Sequence, residues 1–352
     1  MTQTPHAKPL LEDYLNAWAG NDPLRTAVAD TVAALARATA EISGLVAQGP
    51  LAGDLAAARI DKGGGDAQKE LDVITNSLIQ RHLTSAPVAA LASEEADVPE
   101  ALTKGAPLIV AIDPLDGSSN IDTNTSIGTI FSVLPAPANV DPALSEAFLQ
   151  PGRAQLAAGY AIYGPNTALV LTVGQGTAMF VLDPATRRYV LVFDRMEVPP
   201  DAREFAINMS NYRHWDEPIR LYIDDLLKGQ DGPRDVDYNM RWLAAMVAEA
   251  HRILIRGGVY LYPSDARKGY ISGRLRLIYE GNPIAFLMEQ AGGAASNGSS
   301  PILDLKPTSL HQRVPLVFGS SEKVQRVARY VAAPESIAAR SPLFAKRGLF
   351  RS

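Results

Sequence analysis

The sequence predicts α+β layers in two halves that meet near residue 200. Three observations carry this reading. Helix-periodic segments dominate the first 83 residues, and five closely spaced β-rich runs occupy Ile127 to Asp194. Helices then alternate with short strands after Pro199-Pro200-Asp201, the best linker in the chain.

From Leu24 to Val46, apolar residues recur at helical spacing through Val28, Val32, Leu35, Ile42 and Leu45, and Gln48-Gly49-Pro50 is a stop signal. Tyr14 and Trp18 read as packing anchors for this first helix. A three-glycine loop follows in LAGDLAAARIDKGGGDAQ. KELDVITNSLIQRHL is again of helical period and stops before Ser85-Ala86-Pro87. VAALASEEAD runs apolar into paired glutamates, and LIVAI at 108–112 reads as a buried strand. TIFSVL, AAGYAIYG, TALVLTVG, TAMFVLD and RYVLVFD are short and rich in β-branched and aromatic residues, and their tight spacing favours an antiparallel sheet. GQGTAM at 174–179 is a hairpin turn rather than a dinucleotide fingerprint, because strand and not helix follows it. Beyond the linker, FAIN is a strand, WDEPIRLYIDDLLKG a helix, and MRWLAAMVAEAHRILIRGG a long helix closed by Gly257-Gly258. VYLYP is a strand, LRLIYEGNPIAFLMEQAGG a helix interrupted at Asn282-Pro283, PLVFGS a strand and SEKVQRVARYVA a helix. Trp215 and Trp242 read as core or interface.

Composition narrows the function classes. Hydrophobic residues at 47% and charged residues at 20% give an ordinary soluble profile, and no apolar run reaches the length of a membrane span. MTQTPHAKPL lacks the layout of a signal peptide, so a cytoplasmic protein is expected. A net charge of −5 without a basic block argues against nucleic acid. The absence of cysteine excludes a disulfide, a thiolate metal site and a thiol nucleophile. Five scattered histidines do not suggest zinc; a metal here would be held by oxygen, which points to magnesium or manganese.

The most informative stretch is DPLDGSSN at 113–120. Asp113 and Asp116 can converge on one hard cation, with the Leu115 carbonyl as a further oxygen ligand. Gly117, Ser118 and Ser119 supply the flexible backbone, N–H groups and hydroxyls that a phosphate needs. Glu94 and Glu95 lie upstream, Asp66 and Asp72 flank the start of a helix, and Glu280 sits among Leu277, Ile278 and Tyr279. Each alone has an ordinary reading, as solvated surface or helix cap. Glu280 fits surface least, because a charge amid core-like neighbours needs a partner. Together the carboxylates suit two metals about 3.5–4 Å apart, which stabilise both oxygens of an in-line displacement. A non-ligand carboxylate would take the proton of the attacking water.

GGGDAQKELDVITN, LASEEAD, AIDPLDGSSNIDTNTSIGTIFSV, YLYP, LRLIYEGNPIAFLMEQAGG and PTSLHQRVPLVFGS resemble class I fructose-1,6-bisphosphatase of the bacterial type nearly end to end. DPxDG alone would indicate only the wider sugar-phosphatase superfamily, whose inositol monophosphatases carry a WDxAAG-like segment where this chain has YEGNPIAF. The resemblance implies a layered α/β/α/β/α sugar-phosphatase fold with a mixed or antiparallel N-terminal sheet and a smaller C-terminal sheet. It divides the chain into a metal- and phosphate-binding half at 1–200, a sugar-bisphosphate-binding half at 201–335 and a tail at 336–352. It implies two or more Mg2+ per subunit, with Mn2+ able to substitute, held by Glu94, Asp113, Asp116, Glu280 and the Leu115 carbonyl. Asp66, Asp72 and Glu95 would orient or deprotonate the water. Asp116, Gly117, Ser118 and Ser119 would hold the 1-phosphate, and Asn208, Tyr262 and Arg274 the distal phosphate. Arg241 would reach in from a neighbouring subunit of a homotetramer.

The implied reaction is hydrolysis of the 1-phosphate of fructose 1,6-bisphosphate, in gluconeogenesis or the Calvin cycle. Asn211 and Trp242 stand where animal members have tyrosines lining the distal pocket, and Arg274 replaces their lysine. Sedoheptulose 1,7-bisphosphate is therefore an alternative substrate, ahead of an inositol phosphate or a silent sugar-phosphate sensor. The basic segment around Arg267, Lys268 and Arg274 reads equally as a contact for anionic substrate or as a solvated loop. Pro107 and Leu108 replace the Lys-Tyr pair that serves AMP in animal members, so inhibition by that route is not expected.

Overall fold

In the computed structural model, which describes residues 8–52, 58–61 and 67–332, capping residues set the first helices. Helix α1 (Leu11–Ala19) precedes α2 (Pro23–Gln48). Asp22 accepts hydrogen bonds from the Leu24 and Arg25 N–H groups at 2.9 Å each, Pro23 fills the first helical position where no donor is required, and Gly49 closes the helix at φ +50°. Tyr14 and Trp18 do anchor the start of the chain, but from a helix of their own. The Tyr14 ring meets Phe180 edge-on at 5.4 Å, and Trp18 packs against the same core. The three-glycine loop with Asp66, and the expected tail at 336–352, lie outside the described residues.

Next come β1 (Ala58–Asp61), β2 (Ala67–Lys69), α3 (Glu70–Leu83), β3 (Val88–Ser93), β4 (Glu100–Ala101) and β5 (Leu108–Asp116). β6 (Ile127–Pro135), β7 (Ala157–Tyr163), β8 (Thr167–Thr172), β9 (Thr177–Asp183) and β10 (Arg188–Met196) are the five expected antiparallel strands. β3 to β10 form one eight-stranded sheet in the order β10-β9-β8-β7-β6-β5-β3-β4, mixed because β3 and β5 run parallel. The chain continues through β11 (Glu204–Ala206), α4 (Glu217–Leu227), β12 (Asn239–Arg241), α5 (Met246–Arg256) and β13 (Val259–Tyr262). The described residues close with β14 (Leu275–Arg276), α6 (Asn282–Gln290), β15 (Ala294–Ser296), β16 (Arg313–Val314), β17 (Leu316–Gly319) and α7 (Ser321–Ala332). The smaller sheet has the order β12-β11-β13-β17-β15.

Strand alternation stacks these elements into five layers, since successive side chains face opposite sides of a sheet. Leu108, Val110, Ile112, Phe131 and Val133 pack with α1, α2 and α3 on one face of the large sheet. Ile130, Tyr160 and Val170 face the other way, onto α5 and α6, which also cover Tyr260, Leu316 and Phe318 of the smaller sheet. Phe205, Val259, Leu261 and Val317 point beyond it to α4 and α7. The α/β/α/β/α arrangement is thus the product of two sheets buried on both faces.

Two helix expectations are corrected. The helix expected over 240–258 starts only at Met246. Asn239, Met240 and Arg241 pair in parallel with β11, and Ala244 adopts φ +58°, which an α-helix cannot accommodate. LRLIYEGNPIAF is likewise not one helix: Leu275-Arg276 is strand and Leu277–Gly281 is a π-turn leading into α6. Pro283 has no N–H to donate four residues back, and the Asn282 N–H bonds five back, to the Leu277 carbonyl. Periodicity alone does not register that wider turn.

Candidate active site

β5 is buried along its whole length, between β3 and β6. DPLD, expected as a turn after the strand, is its final part. Asp113 pairs with Ile130 but Asp116 with Gly128, so β5 carries one extra residue against β6. That bulge re-aims the strand end. The Leu115 N–H donates to Asp113 Oδ1 at 3.0 Å, within the bulge itself.

Gly117 then turns the chain at φ +79°, and a Cβ there would lie 2.6 Å from the Ala245 Cβ, so only glycine fits. Ser118, Ser119 and Asn120 form a single 3-10 turn opposite the N-terminus of α5. Asn120 Nδ2 donates to the Ser126 carbonyl at 3.2 Å and to the Leu243 carbonyl at 2.9 Å. Asp116 Oδ2 accepts from the Val247 N–H at 2.7 Å, one of the donors that a helix N-terminus leaves free.

The carboxylate oxygens of Asp113, Asp116 and Glu280 converge to within 4.8 Å of one another. Glu94 and Glu95 face the same cluster, and both bias the Asp113 carboxyl. Burial, followed by the negative charge of these neighbours, drives Asp113 and Glu280 well above the carboxylate range. Burial raises Glu94 to about 7 against the opposing pull of Arg276, and raises Asp116 to about 6 against the N–H bonds of Val247 and Met246. Carboxylates that resist ionisation for want of positive charge, all offering oxygen, fit a hard divalent cation. Asp113, Asp116 and Glu280 could hold it, with Glu94 beside them.

Arg276 is the residue that sequence reasoning missed. Its Nε donates to Glu94 Oε1 at 3.2 Å, and its backbone N–H donates to Glu280 Oε2 at 2.5 Å. The signal was an arginine four residues before Glu280 in a segment read as helix, where such a pair shares a face.

Of the remaining expected residues, Asp72 is 3% exposed in the first turn of α3, which packs on β5. Asn208 and Tyr262 line one cleft with Asn211, Trp215 and Asp265. Asn208 Oδ1 accepts from the Ser210 hydroxyl at 2.6 Å and the Ser210 N–H at 3.2 Å, which leaves its amide N–H groups to donate. Arg274 lies 4.8 Å from the Tyr270 ring, and its charge reaches Tyr262. Arg267, on the same tyrosine at 4.0 Å, is tied to Asp265 and donates to Asn211 Oδ1 at 3.0 Å. Trp242 stacks on Tyr260, whereas Trp215 is core. Arg241 stands apart on edge strand β12. It is 44% exposed, with Nη1 on the Met240 carbonyl at 3.2 Å and Nη2 3.7 Å from Glu204.

Comparison with known proteins gives this geometry a lineage. Residues 21–194 match the family model described as fructose-1-6-bisphosphatase, N-terminal domain, and residues 198–332 match the C-terminal domain of the same name. The chain is 58% identical over 336 residues to a class 1 fructose-1,6-bisphosphatase of Xanthobacter autotrophicus, covering 96% of this chain and 90% of that protein. It is 56% identical over 322 residues to a class 1 fructose-1,6-bisphosphatase of Azorhizobium caulinodans, covering 91% and 98%. The crystal structure of Leishmania major fructose-1,6-bisphosphatase in holo form superposes with a TM-score of 0.86 at 31% identity, over 93% of this chain and all of that one.

The raised carboxyls make stability depend on pH with a definite sign. Where a folded-state pKa exceeds the unfolded value near 4, the folded protein holds more protons, and stability falls as pH rises from about 4 through the folded values of 6 to 7. In chelator, the melting temperature should therefore drop between pH 5 and pH 8 by on the order of 5 °C, and a hard divalent cation in excess should restore it. Thermal melts across that range check this. A melting temperature that climbs with pH in chelator would contradict a carboxylate cluster short of positive charge.

Proposed function

The chain belongs to the fructose-1,6-bisphosphatase family, and on that premise we propose that it hydrolyses the 1-phosphate of fructose 1,6-bisphosphate, releasing fructose 6-phosphate and inorganic phosphate. The observation that carries the chemistry is the convergence of Asp113, Asp116 and Glu280 beside the Gly117–Asn120 turn, which puts cation ligands and a phosphate-sized loop against each other. Asp113, Asp116, Glu280, Glu94 and the Leu115 carbonyl would hold two or more magnesium ions, or manganese in their place. When bound, the cations supply positive charge to the phosphoryl oxygens and acidity to the attacking water.

The chain's own residues do the rest. Gly117, Ser118 and Ser119 bind the 1-phosphate through backbone N–H groups and hydroxyls, and Asp116 is held in register with that loop by the N-terminus of α5. Glu95, with Asp72 and Asp66, orients the water and accepts its proton. Asn208, Tyr262 and Arg274 grip the distal phosphate, Arg274 with a planar fork suited to two parallel bonds. Arg241, exposed on an open sheet edge, is donated to the neighbouring subunit of a homotetramer. Residues 1–200 form the metal- and phosphate-binding half, 201–335 the sugar-bisphosphate half and 336–352 a tail. No helix among the described residues is long and apolar enough to cross a membrane, and we assign the enzyme to the cytoplasm.

One observation favours a second substrate. Asn211, a short side chain tied to Arg267, stands in the distal cleft where a tyrosine would fill it, so a seven-carbon bisphosphate is the runner-up.

Phosphate release by the purified protein tests the reading. Fructose 1,6-bisphosphate should be hydrolysed with magnesium and not with chelator, and faster than inositol 1-phosphate. The ratio to sedoheptulose 1,7-bisphosphate ranks the two sugars. Asp116→Asn should reduce turnover by at least about a thousandfold while leaving a folded protein, because it weakens the cation and phosphate sites together. Wild-type turnover in that variant would remove Asp116 from the site. Arg241→Ala should raise KM about tenfold or more with kcat nearly unchanged. A fall in kcat at unchanged KM would contradict a role at the distal phosphate.

A further inference from the structure

Residues 241–247 run as one strip between the two ends of the site. At one end the Val247 N–H holds Asp116, and Ala245 packs against the turn at Gly117. At the other, Trp242 stacks on Tyr260 with ring centres 6.0 Å apart and planes 6° from parallel, and leans on Tyr262 at 6.0 Å. Arg241 immediately precedes Trp242, at the end of β12.

Between these ends Leu243 is gripped from both sides. Its N–H donates to Glu249 Oε1 at 2.5 Å, and its carbonyl accepts from Asn120 Nδ2 at 2.9 Å. The next residue, Ala244, sits at φ +58°, a left-handed conformation that an alanine adopts only under such restraint. Glu249 is 1% exposed, and its Oε2 has no hydrogen-bond partner among the described residues. Arg252, three residues on, is committed to Glu204 at 2.5 Å, and only its charge acts on Glu249. A carboxylate buried for a single backbone bond is costly to maintain, and a packing role would be served by an apolar side chain.

The geometry points to Glu249 as a positioning residue for recognition of the distal phosphate. With Asn120 it fixes Leu243, and so sets where Trp242 stands relative to the loop that takes the reacting phosphate and how Arg241 is presented to the neighbouring subunit. The bond is made to the Leu243 backbone, so whichever side chain stands at 242 is steered in the same way. This inference rests on the reading that Arg241 and the Tyr262 cleft serve the distal phosphate.

The test is steady-state kinetics of the full chain with fructose 1,6-bisphosphate and magnesium, with fructose 6-phosphate and inorganic phosphate as product inhibitors. Glu249→Ala should raise KM about tenfold with kcat within about threefold of wild type. Its inhibition constant for fructose 6-phosphate should rise in step, and that for inorganic phosphate should not move. Glu249→Gln, whose amide oxygen can still accept from Leu243, should stay within about twofold of wild type on every constant. Should the alanine variant not fold, Glu249→Asp, one methylene short of Leu243, should show the same selective loss. Unchanged KM in the alanine or aspartate variant overturns the inference, as does equal weakening of both inhibitors or a fall in kcat alone. A wild-type protein that releases no phosphate from the bisphosphate would instead defeat the functional reading.

Discussion

The burial of carboxylates, made costlier by their mutual repulsion, is the constraint to which the rest of this structure answers. Asp113, Asp116, Glu94 and Glu280 occupy one buried region, and each raises the cost of ionising another. Such a cluster persists only where rigid elements hold its members together and positive charge or N–H donors offset the repulsion. The large sheet provides the rigidity: β5 is buried along its length and its carboxylates sit at the end where the bulge turns it. The offset comes from two sources, the N-terminus of α5 at Asp116 and Arg276 at Glu94 and Glu280.

Those two sources explain local structure that otherwise looks irregular. α5 starts at Met246, where its first N–H groups reach Asp116, and not six residues earlier where the apolar pattern begins. The π-turn at Leu277–Gly281 brings Glu280 back onto the N–H of Arg276 while Pro283 keeps the α-helical ladder from closing. Both departures from regular helix lie where the smaller sheet meets the large one, so the site is assembled by packing between layers.

The distal cleft is organised differently. Its polar groups are paired with one another, Arg267 with Asp265 and Asn211, Asn208 with Ser210, around the aromatic group of Trp242, Tyr260 and Tyr262. Stacked rings and paired side chains preset a shape before a ligand enters, which lowers the ordering cost of binding. The strip from Arg241 to Val247 touches both this cleft and the carboxylate cluster, as does the stretch from Arg274 to Glu280.

The sequence by itself determined the layers, the family and the acidic stretch that ends β5. Short runs rich in β-branched and aromatic residues marked β6 to β10, helical period marked α2, α3 and α7, and DPLDGSSN suggested cation and phosphate chemistry, because those signals reside in neighbouring residues. It also proposed Glu94 and Glu280 as members of one cluster, from acids set among apolar neighbours and then by resemblance, not from their spacing. What it could not express were relations between segments far apart in the chain. The bulge in β5 is defined by its pairing with β6, the start of α5 by Asp116 more than a hundred residues upstream, and the counter-charge of Arg276 by a strand that precedes it by over 180 residues. Periodicity records which face of an element is buried. Which groups meet across that face is decided only when the layers close.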